Sequence, residues 1–216
     1  MSFIVAARCC LLVAALLGPG CGHSGAARQQ AHTSVPASRQ ARVEARSLCL
    51  AGQELETAPA LKDFASLRAL DLSRNRLQQL PQEVGALEHL ELLDARDNSL
   101  TSLPPGLGRL SRLRLLYLSD NRLQKLPAWV GRLSSLEELY LSRNRLEELP
   151  AELGQLSELR MLHLAGNRLT RLPPRLGRLS RLEELNLDDN RLTDLPPGLA
   201  GLAHLDTLHL RNNRLK

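Results

Sequence analysis

A fixed period of 23 residues is the feature that most constrains how this chain can fold. The unit from Leu136 to Leu159 has the pattern L-x-x-L-x-L-x-x-N-x-L-x-x-L-P-x-x-L-G-x-L-x-x-L. One asparagine marks each unit, and these residues are Asn75, Asn98, Asn121, Asn144, Asn167, Asn190 and Asn213. A single unit cannot bury its own leucines, so the units are expected to stack along one axis.

Each unit predicts a short strand, a turn and a compact return. Leu139 and Leu141 alternate with other residues, which indicates a strand with one buried face. An inward-pointing amide at Asn144 can bond backbone groups that the turn leaves unpaired. Pro150 suits the first turn of a helix, and leucines then follow every third residue from Leu153, the spacing of a short helix or 3-10 turn. Stacked units predict a parallel sheet with strands about 4.8 Å apart.

The unit resembles the leucine-rich repeats of the 23-residue type that carry an L-P-x-x-L-G-x-L return. Such repeats occur in many bacterial proteins, in Ras-suppressor and Scribble-like proteins and in plant Ras-group repeat proteins. The resemblance covers about residues 45–216. It implies an α/β solenoid, a curved horseshoe with a parallel sheet on the concave face and short helices or 3-10 turns on the convex face. It also implies partner binding rather than catalysis.

The leader indicates export. In residues 1–20 a single charge, Arg8, precedes an apolar run that is too short to cross a membrane comfortably, which is typical of a signal peptide. Cys21 follows it in a context that resembles a bacterial lipoprotein junction, although Gly18 stands where that family prefers leucine. We predict a lipid anchor at Cys21 in the cell envelope (outer membrane or periplasm). Plain secretion and an uncleaved or misassigned start are the alternatives. With lipidation Cys49 is a lone thiol, and without it a Cys21–Cys49 disulfide is an alternative.

The rest of the chain divides into a tether and the repeats. Residues 21–44 lack a hydrophobic period and are predicted to form a disordered tether. Repeats occupy residues 45–216. The first repeat, 45–66, is one residue short and is predicted to be an atypical cap, with Gln53 at the asparagine place. The last repeat, 205–216, is truncated, which predicts exposed leucines and self-association through an uncapped C-terminal edge.

Composition narrows the kind of partner. The net charge is +5, yet basic and acidic residues are interspersed and no stacking aromatics accompany a basic run, so we predict no nucleic-acid partner. Non-leucine strand positions are expected to face out on the concave side. Exposed apolar and aromatic side chains there indicate a protein-binding site, since tyrosine and methionine are favoured at interfaces. The predicted site residues are Leu92, Leu115, Tyr117, Tyr140, Met161 and His163. The alternative is that they are ordinary strand residues.

Other candidate sites are weaker. Asp71 and Asp94 are expected on adjacent strands, where they could serve acid/base chemistry or a cation, but a solvated face is the simpler interpretation. His163 and His209 are expected to lie too far apart to share a metal. We therefore predict no catalytic residue, no cofactor, no metal and no enzymatic activity. A row of arginines just after the asparagines could bind an anionic glycan or lipid, although nearby acids favour ion pairs: Arg76, Arg122, Arg145, Arg168, Arg191 and Arg214.

Overall fold

The computed structural model describes residues 39–216, which form one open parallel sheet of eight strands in chain order. The strands are β1 (Ser47–Cys49), β2 (Ala69–Asp71), β3 (Leu92–Asp94), β4 (Leu115–Tyr117), β5 (Glu138–Tyr140), β6 (Met161–His163), β7 (Glu184–Asn186) and β8 (Thr207–His209). The predicted α/β repeat solenoid is confirmed. The predicted signal peptide, Cys21 and most of the predicted tether lie outside the described residues.

The register of the sheet repeats without slippage. The middle residue of each strand is a leucine that aligns with the next, as in Leu93↔Leu116 and Leu116↔Leu139. From β1 to β7 these leucines are buried in one continuous, leucine-dominated core. The flanking strand residues lie on the opposite face, because successive side chains alternate across a strand. We call that second surface the open face of the sheet.

Within the described residues, each of the six connections from β2 to β8 contains a 3-10 turn. These turns are Gln82–Ala86, Pro105–Arg109, Ala128–Arg132, Ala151–Gln155, Pro174–Arg178 and Pro197–Gly201. The recurring proline lies one position earlier than predicted, as the N-cap. Pro150, for example, has φ −69° and ψ 145°, an extended conformation, while its carbonyl accepts the N–H of Leu153 at 3.1 Å. Proline suits this place because its fixed φ is compatible and its missing N–H is not needed.

The asparagines form a ladder of side-chain amides between repeats. Asn144 Nδ2 donates to the carbonyls of Leu118 (2.9 Å) and Leu141 (3.1 Å), and its Oδ1 accepts the N–H of Leu123 at 3.0 Å. The residue just before each asparagine has a positive φ, as at Arg143 with φ 52°. This left-handed residue turns the chain sharply at the end of the strand, and the sequence interpretation did not foresee it.

Both ends of the described chain depart from the regular repeat. A short helix, α1 (Arg39–Glu44), replaces the end of the predicted tether, so the prediction of disorder to residue 44 is wrong there. Arg42 Nη1 of this helix donates to Asp63 Oδ2 at 3.5 Å. In the first repeat the Gln53 side chain is exposed and donates to the carbonyl of Ala51 at 3.4 Å. No helix among residues 39–216 is both long and apolar enough to cross a bilayer.

Candidate functional site on the open face of the sheet

The predicted site residues lie on the open face but are mostly covered. Leu92 and Leu115 are 0% exposed, Tyr117 is 2% exposed and Met161 is 7% exposed. None of the four belongs to the leucine core on the other side of the sheet. The prediction that they are exposed is therefore wrong. Strands about 4.8 Å apart bring large side chains on neighbouring strands into contact, so they cover one another.

A stack of rings joins three neighbouring strands. Tyr117, Tyr140 and His163 occupy the same register on β4, β5 and β6. The tyrosine rings meet edge to face at a centroid distance of 4.9 Å, and Tyr140 lies 4.3 Å from the His163 ring. Tyr117 donates its hydroxyl to Glu138 Oε2 at 2.7 Å, while Tyr140 Oη lies 3.4 Å from Met161 Sδ. The fold thus unites Tyr117, Tyr140, Met161 and His163, and adds Glu138.

An acidic pair adjoins the stack on its N-terminal side. Asp71 aligns with Asp94, and both are buried, so the expectation of a solvated acidic face is wrong. Arg96 donates through Nε (3.0 Å) and Nη2 (2.5 Å) to Asp94, and its guanidinium carbon lies 5.0 Å from the centre of the Tyr117 ring. Burial, followed by repulsion from Asp94, raises the pKa of Asp71. Ser73 donates its backbone N–H to Asp71 Oδ1 at 2.9 Å.

Arg96 was missed by the sequence interpretation. It occupies the second place after the strand, which is filled by small residues in the neighbouring repeats, Ser73 and Ser119. A long cation that breaks a row of serines, two residues after a buried-strand aspartate, is the signal that could have identified it. Its guanidinium satisfies Asp94 and bridges the acidic pair to the ring stack.

The stack ends in a histidine beside a carboxylate. His163 Nε2 lies 3.1 Å from Glu184 Oε1, but this buried nitrogen makes no hydrogen bond. Burial lowers the pKa of His163, against the opposing attraction of Glu184. This shift favours the neutral form of the imidazole. Among residues 39–216, no group of three or more His, Cys, Asp or Glu side chains could hold a metal.

Cys49 lies at the N-terminal end of the same row, aligned with Asp71. It is disulfide-bonded. The expectation of a lone thiol is therefore wrong. Cys49 Sγ lies 3.7 Å from Asp71 Oδ2, but a disulfide sulfur carries no proton to donate, so this is a contact rather than a hydrogen bond.

One edge of the open face is neutralised by alternating charges. From β2 to β7, arginine and glutamate alternate at the position just before the strand, and they pair in Arg68–Glu91 (2.9 Å), Arg114–Glu137 (2.8 Å) and Arg160–Glu183 (3.1 Å). The alternation over two repeats is visible in the sequence, but the sequence interpretation did not use it. Pairs this exposed each contribute about 0–1 kcal/mol to stability. These pairs cancel one another's charge along that edge. The net charge of the open face is therefore set by its two central rows, which are the first and the third residues of the strands.

The repeat unit, the eight-stranded sheet and the amide ladder define an interaction scaffold built from leucine-rich units. The chain belongs to the leucine-rich repeat family. A family profile described as "Leucine-rich repeat region" matches residues 30–164, and a second, described as "Leucine rich repeat", matches residues 157–215. A comparison with curated proteins finds no match.

Solved structures with the same architecture come from plants and bacteria. The leucine-rich repeat ectodomain of the Arabidopsis thaliana receptor kinase GASSHO1/SCHENGEN3, solved in complex with CASPARIAN STRIP INTEGRITY FACTOR 2, is 37% identical with a TM-score of 0.67; the match covers 72% of this chain and 19% of that one. A Leptospira interrogans leucine-rich repeat protein is 29% identical over 85% of this chain and 59% of its own, with a TM-score of 0.61. An internalin from Listeria monocytogenes, at 24% identity and TM-score 0.64, covers 72% of this chain and 45% of its own and shares the fold alone. The chain spans less than two thirds of each.

Proposed function

We propose that this protein is a non-enzymatic recognition module that binds a protein partner through the open face, the concave side of the predicted arc. The observation that carries the proposal is the placement of both tyrosines of the chain side by side on that face. The leucine core does not use them, and tyrosines are enriched at the centres of protein interfaces. The GASSHO1/SCHENGEN3 ectodomain, a similar chain, was solved with a bound partner, which supports the proposal.

The predicted site residues then have two roles. Tyr140 and His163 are half-buried, so part of each side chain is accessible to a partner. Glu184, whose side chain is 22% exposed, joins them on β7. The covered residues support these contacts from beside and beneath: Leu92, Leu115, Tyr117 and Met161. A partner would therefore bury the stack from β5 towards β7.

The charge of the face favours a cationic partner segment. Its two central rows carry Asp71, Asp94, Glu138 and Glu184, and no lysine or arginine. Arg96, in the next row, is committed to Asp94. A face of this character, within a chain of net charge +5, attracts lysine or arginine side chains and repels acidic ones.

Paired substitutions test this function. The double variant Tyr140→Ala and His163→Ala should weaken partner binding at least tenfold, about 1.4 kcal/mol, with only a small fall in melting temperature. Tyr117 is unsuitable for this test because its hydroxyl and ring hold Glu138 and Arg96. The partner would be captured by crosslinking from the native cell envelope, purified and titrated.

A matched pair on the 3-10 side provides the control. Arg132→Ala and Gln155→Ala change two exposed side chains and should leave partner affinity unchanged. The proposal fails if the Tyr140/His163 variant binds normally while the control pair loses affinity. The partner surface would then lie on the 3-10 turns.

We also propose that the protein is exported, either with a lipid anchor at Cys21 or secreted without an anchor. The two forms exclude one another if Cys21 is the disulfide partner of Cys49, because a sulfur bonded in a disulfide cannot also carry a lipid, and the disulfide at Cys49 then favours secretion without an anchor. Self-association through the edge of β8 is a separate proposal, supported by Leu208 and Leu215, each 39% exposed. Sedimentation across a concentration series would test it, with Leu208→Lys expected to remove any dimer. A sedimentation coefficient independent of concentration would contradict it.

A further inference from the structure

Five successive arginines form a row in the turns that follow the strands. They follow the ladder asparagines directly and are all exposed: Arg122, Arg145, Arg168, Arg191 and Arg214. The backbone N–H of Arg145 donates to the carbonyl of Leu123 in the preceding repeat at 2.9 Å, and the other four arginines make the equivalent bond. These bonds hold the row to the spacing of the repeats. At about 4.8 Å per repeat, five arginines span about 19 Å.

The acidic residues expected to neutralise these arginines instead interact with other groups. Asp120 pairs with Arg143, the residue before the asparagine of the next repeat. Asp188 Oδ1 accepts the backbone N–H of Arg211 at 2.6 Å, and Asp189 Oδ1 accepts Asn212 Nδ2 at 2.7 Å. Among residues 39–216, no carboxylate forms an ion pair with any of the five arginines. The expectation that nearby acids neutralise the row is therefore wrong. The five guanidinium groups remain available to bind anionic groups of a ligand.

The surface beside the row contains a groove whose lining residues carry both positive and negative charges. A shallow groove of about 360 Å³ crosses three repeats and is lined by Lys125, Glu147, Glu148, Thr170 and Arg171. Lys125 and Arg171 each lie three residues beyond an arginine of the row and extend its positive charge. Glu147 and Glu148 lie between them on the middle repeat. The positive strip is therefore narrow, with carboxylates at its border.

We propose that this arginine row binds a linear polyanion, an extended polysaccharide bearing sulfate or phosphate groups. The chain would run across the repeats, and successive guanidiniums would take successive anionic groups through paired N–H donors, the geometry for which arginine is suited. A flat anionic membrane fits less well, because it would also meet the carboxylates that border the strip. This site is independent of the open face, so each site can fail without the other.

Charge-matched variants test the row. The row variant carries arginine to glutamine at four places: Arg122→Gln, Arg145→Gln, Arg168→Gln and Arg191→Gln. The control variant makes the same charge change in the 3-10 turns: Arg109→Gln, Arg132→Gln, Arg175→Gln and Arg178→Gln. The four arginines of the row are exposed and those of the control lie at the surface, so both variants should melt like the unsubstituted protein. The probe is fluorescent dextran sulfate, with free sulfate as competitor and phosphatidylglycerol vesicles as the planar alternative.

Dextran sulfate should bind the unsubstituted protein with an affinity that falls steeply as salt rises, since each neutralised anionic group releases counterions. The row variant should lose at least tenfold in affinity and show a shallower salt dependence, while the control variant changes less than twofold. Equal losses in both variants would reduce the effect to net charge and overturn the proposal. Competition by free sulfate at the same charge concentration, or binding to vesicles without binding to dextran sulfate, would overturn it as well.

Discussion

Replacing Asn144 by alanine tests the amide ladder where it is most regular. The carbonyl of Leu118 also accepts Asn121 Nδ2 at 3.1 Å, and that of Leu141 also accepts Asn167 Nδ2 at 2.9 Å. Both carbonyls therefore keep one donor after the substitution. The N–H of Leu123 has no such substitute, because the described structure gives it only Asn144 Oδ1.

The magnitude follows from this asymmetry. An orphaned buried N–H costs about 1–3 kcal/mol, and the weaker satisfaction of the two carbonyls adds about 1 kcal/mol, so Asn144→Ala should cost about 2–4 kcal/mol. Asn144→Asp should cost more at pH 7: it keeps the acceptor for Leu123 but turns a buried charge towards two carbonyls. Leu141→Ala, which opens a cavity in the core, should cost about 2–5 kcal/mol. Exposed Arg145→Ala should change stability by less than about 0.5 kcal/mol.

Urea unfolding at constant slope gives the free energies, and hydrogen exchange at the Leu123 amide gives a local readout. That amide should exchange much faster in Asn144→Ala even under conditions where the fold is intact. The reasoning is refuted if Asn144→Ala costs no more than Arg145→Ala. It is also refuted if exchange at Leu123 is unchanged.

Three further predictions concern charge and the leader. Burial and Asp94 raise the pKa of Asp71, so its stabilising proton is present below the ordinary value of 3.8 and is lost as the pH rises through the folded value. Asp71→Asn, which keeps the acceptor for Ser73, should therefore stabilise the fold at neutral pH and not in acid, by urea unfolding at both. Burial lowers the pKa of His163 below its ordinary 6.5, so stability present above that value should decline as the pH falls through the folded pKa, and His163→Gln should flatten the decline. Cys21→Ser should abolish lipid labelling and membrane retention; an unsubstituted protein that takes no label would contradict the anchor.

The repeat architecture could be predicted from the sequence because every repeat presents the same environment to the same position. Leucines at the core positions and asparagine at the turn recur every 23 residues, so all seven units predict the same local structure. The fold, the parallel register and the chemistry of the ladder all follow from that pattern. The 3-10 returns were anticipated as one of two alternatives. The residue of positive φ before each asparagine was not, since several residue types occupy it, among them Arg143, Asp189 and Gly166.

The open face and the arginine row were decided by the tertiary structure. The side chains of the open face differ from repeat to repeat, so no periodic rule describes them. The arginines of the row do recur every 23 residues, but the acids around them do not, so the sequence period does not say whether the row is neutralised. Tyr117 is covered because Arg96 lies against its ring and Tyr140 meets its edge, contacts between residues about one repeat apart. Asp120 turns to Arg143 rather than to the row, which leaves the row its charge. Such choices depend on which neighbour a long side chain can reach across strands about 4.8 Å apart, and only the stacked chain settles that distance and direction.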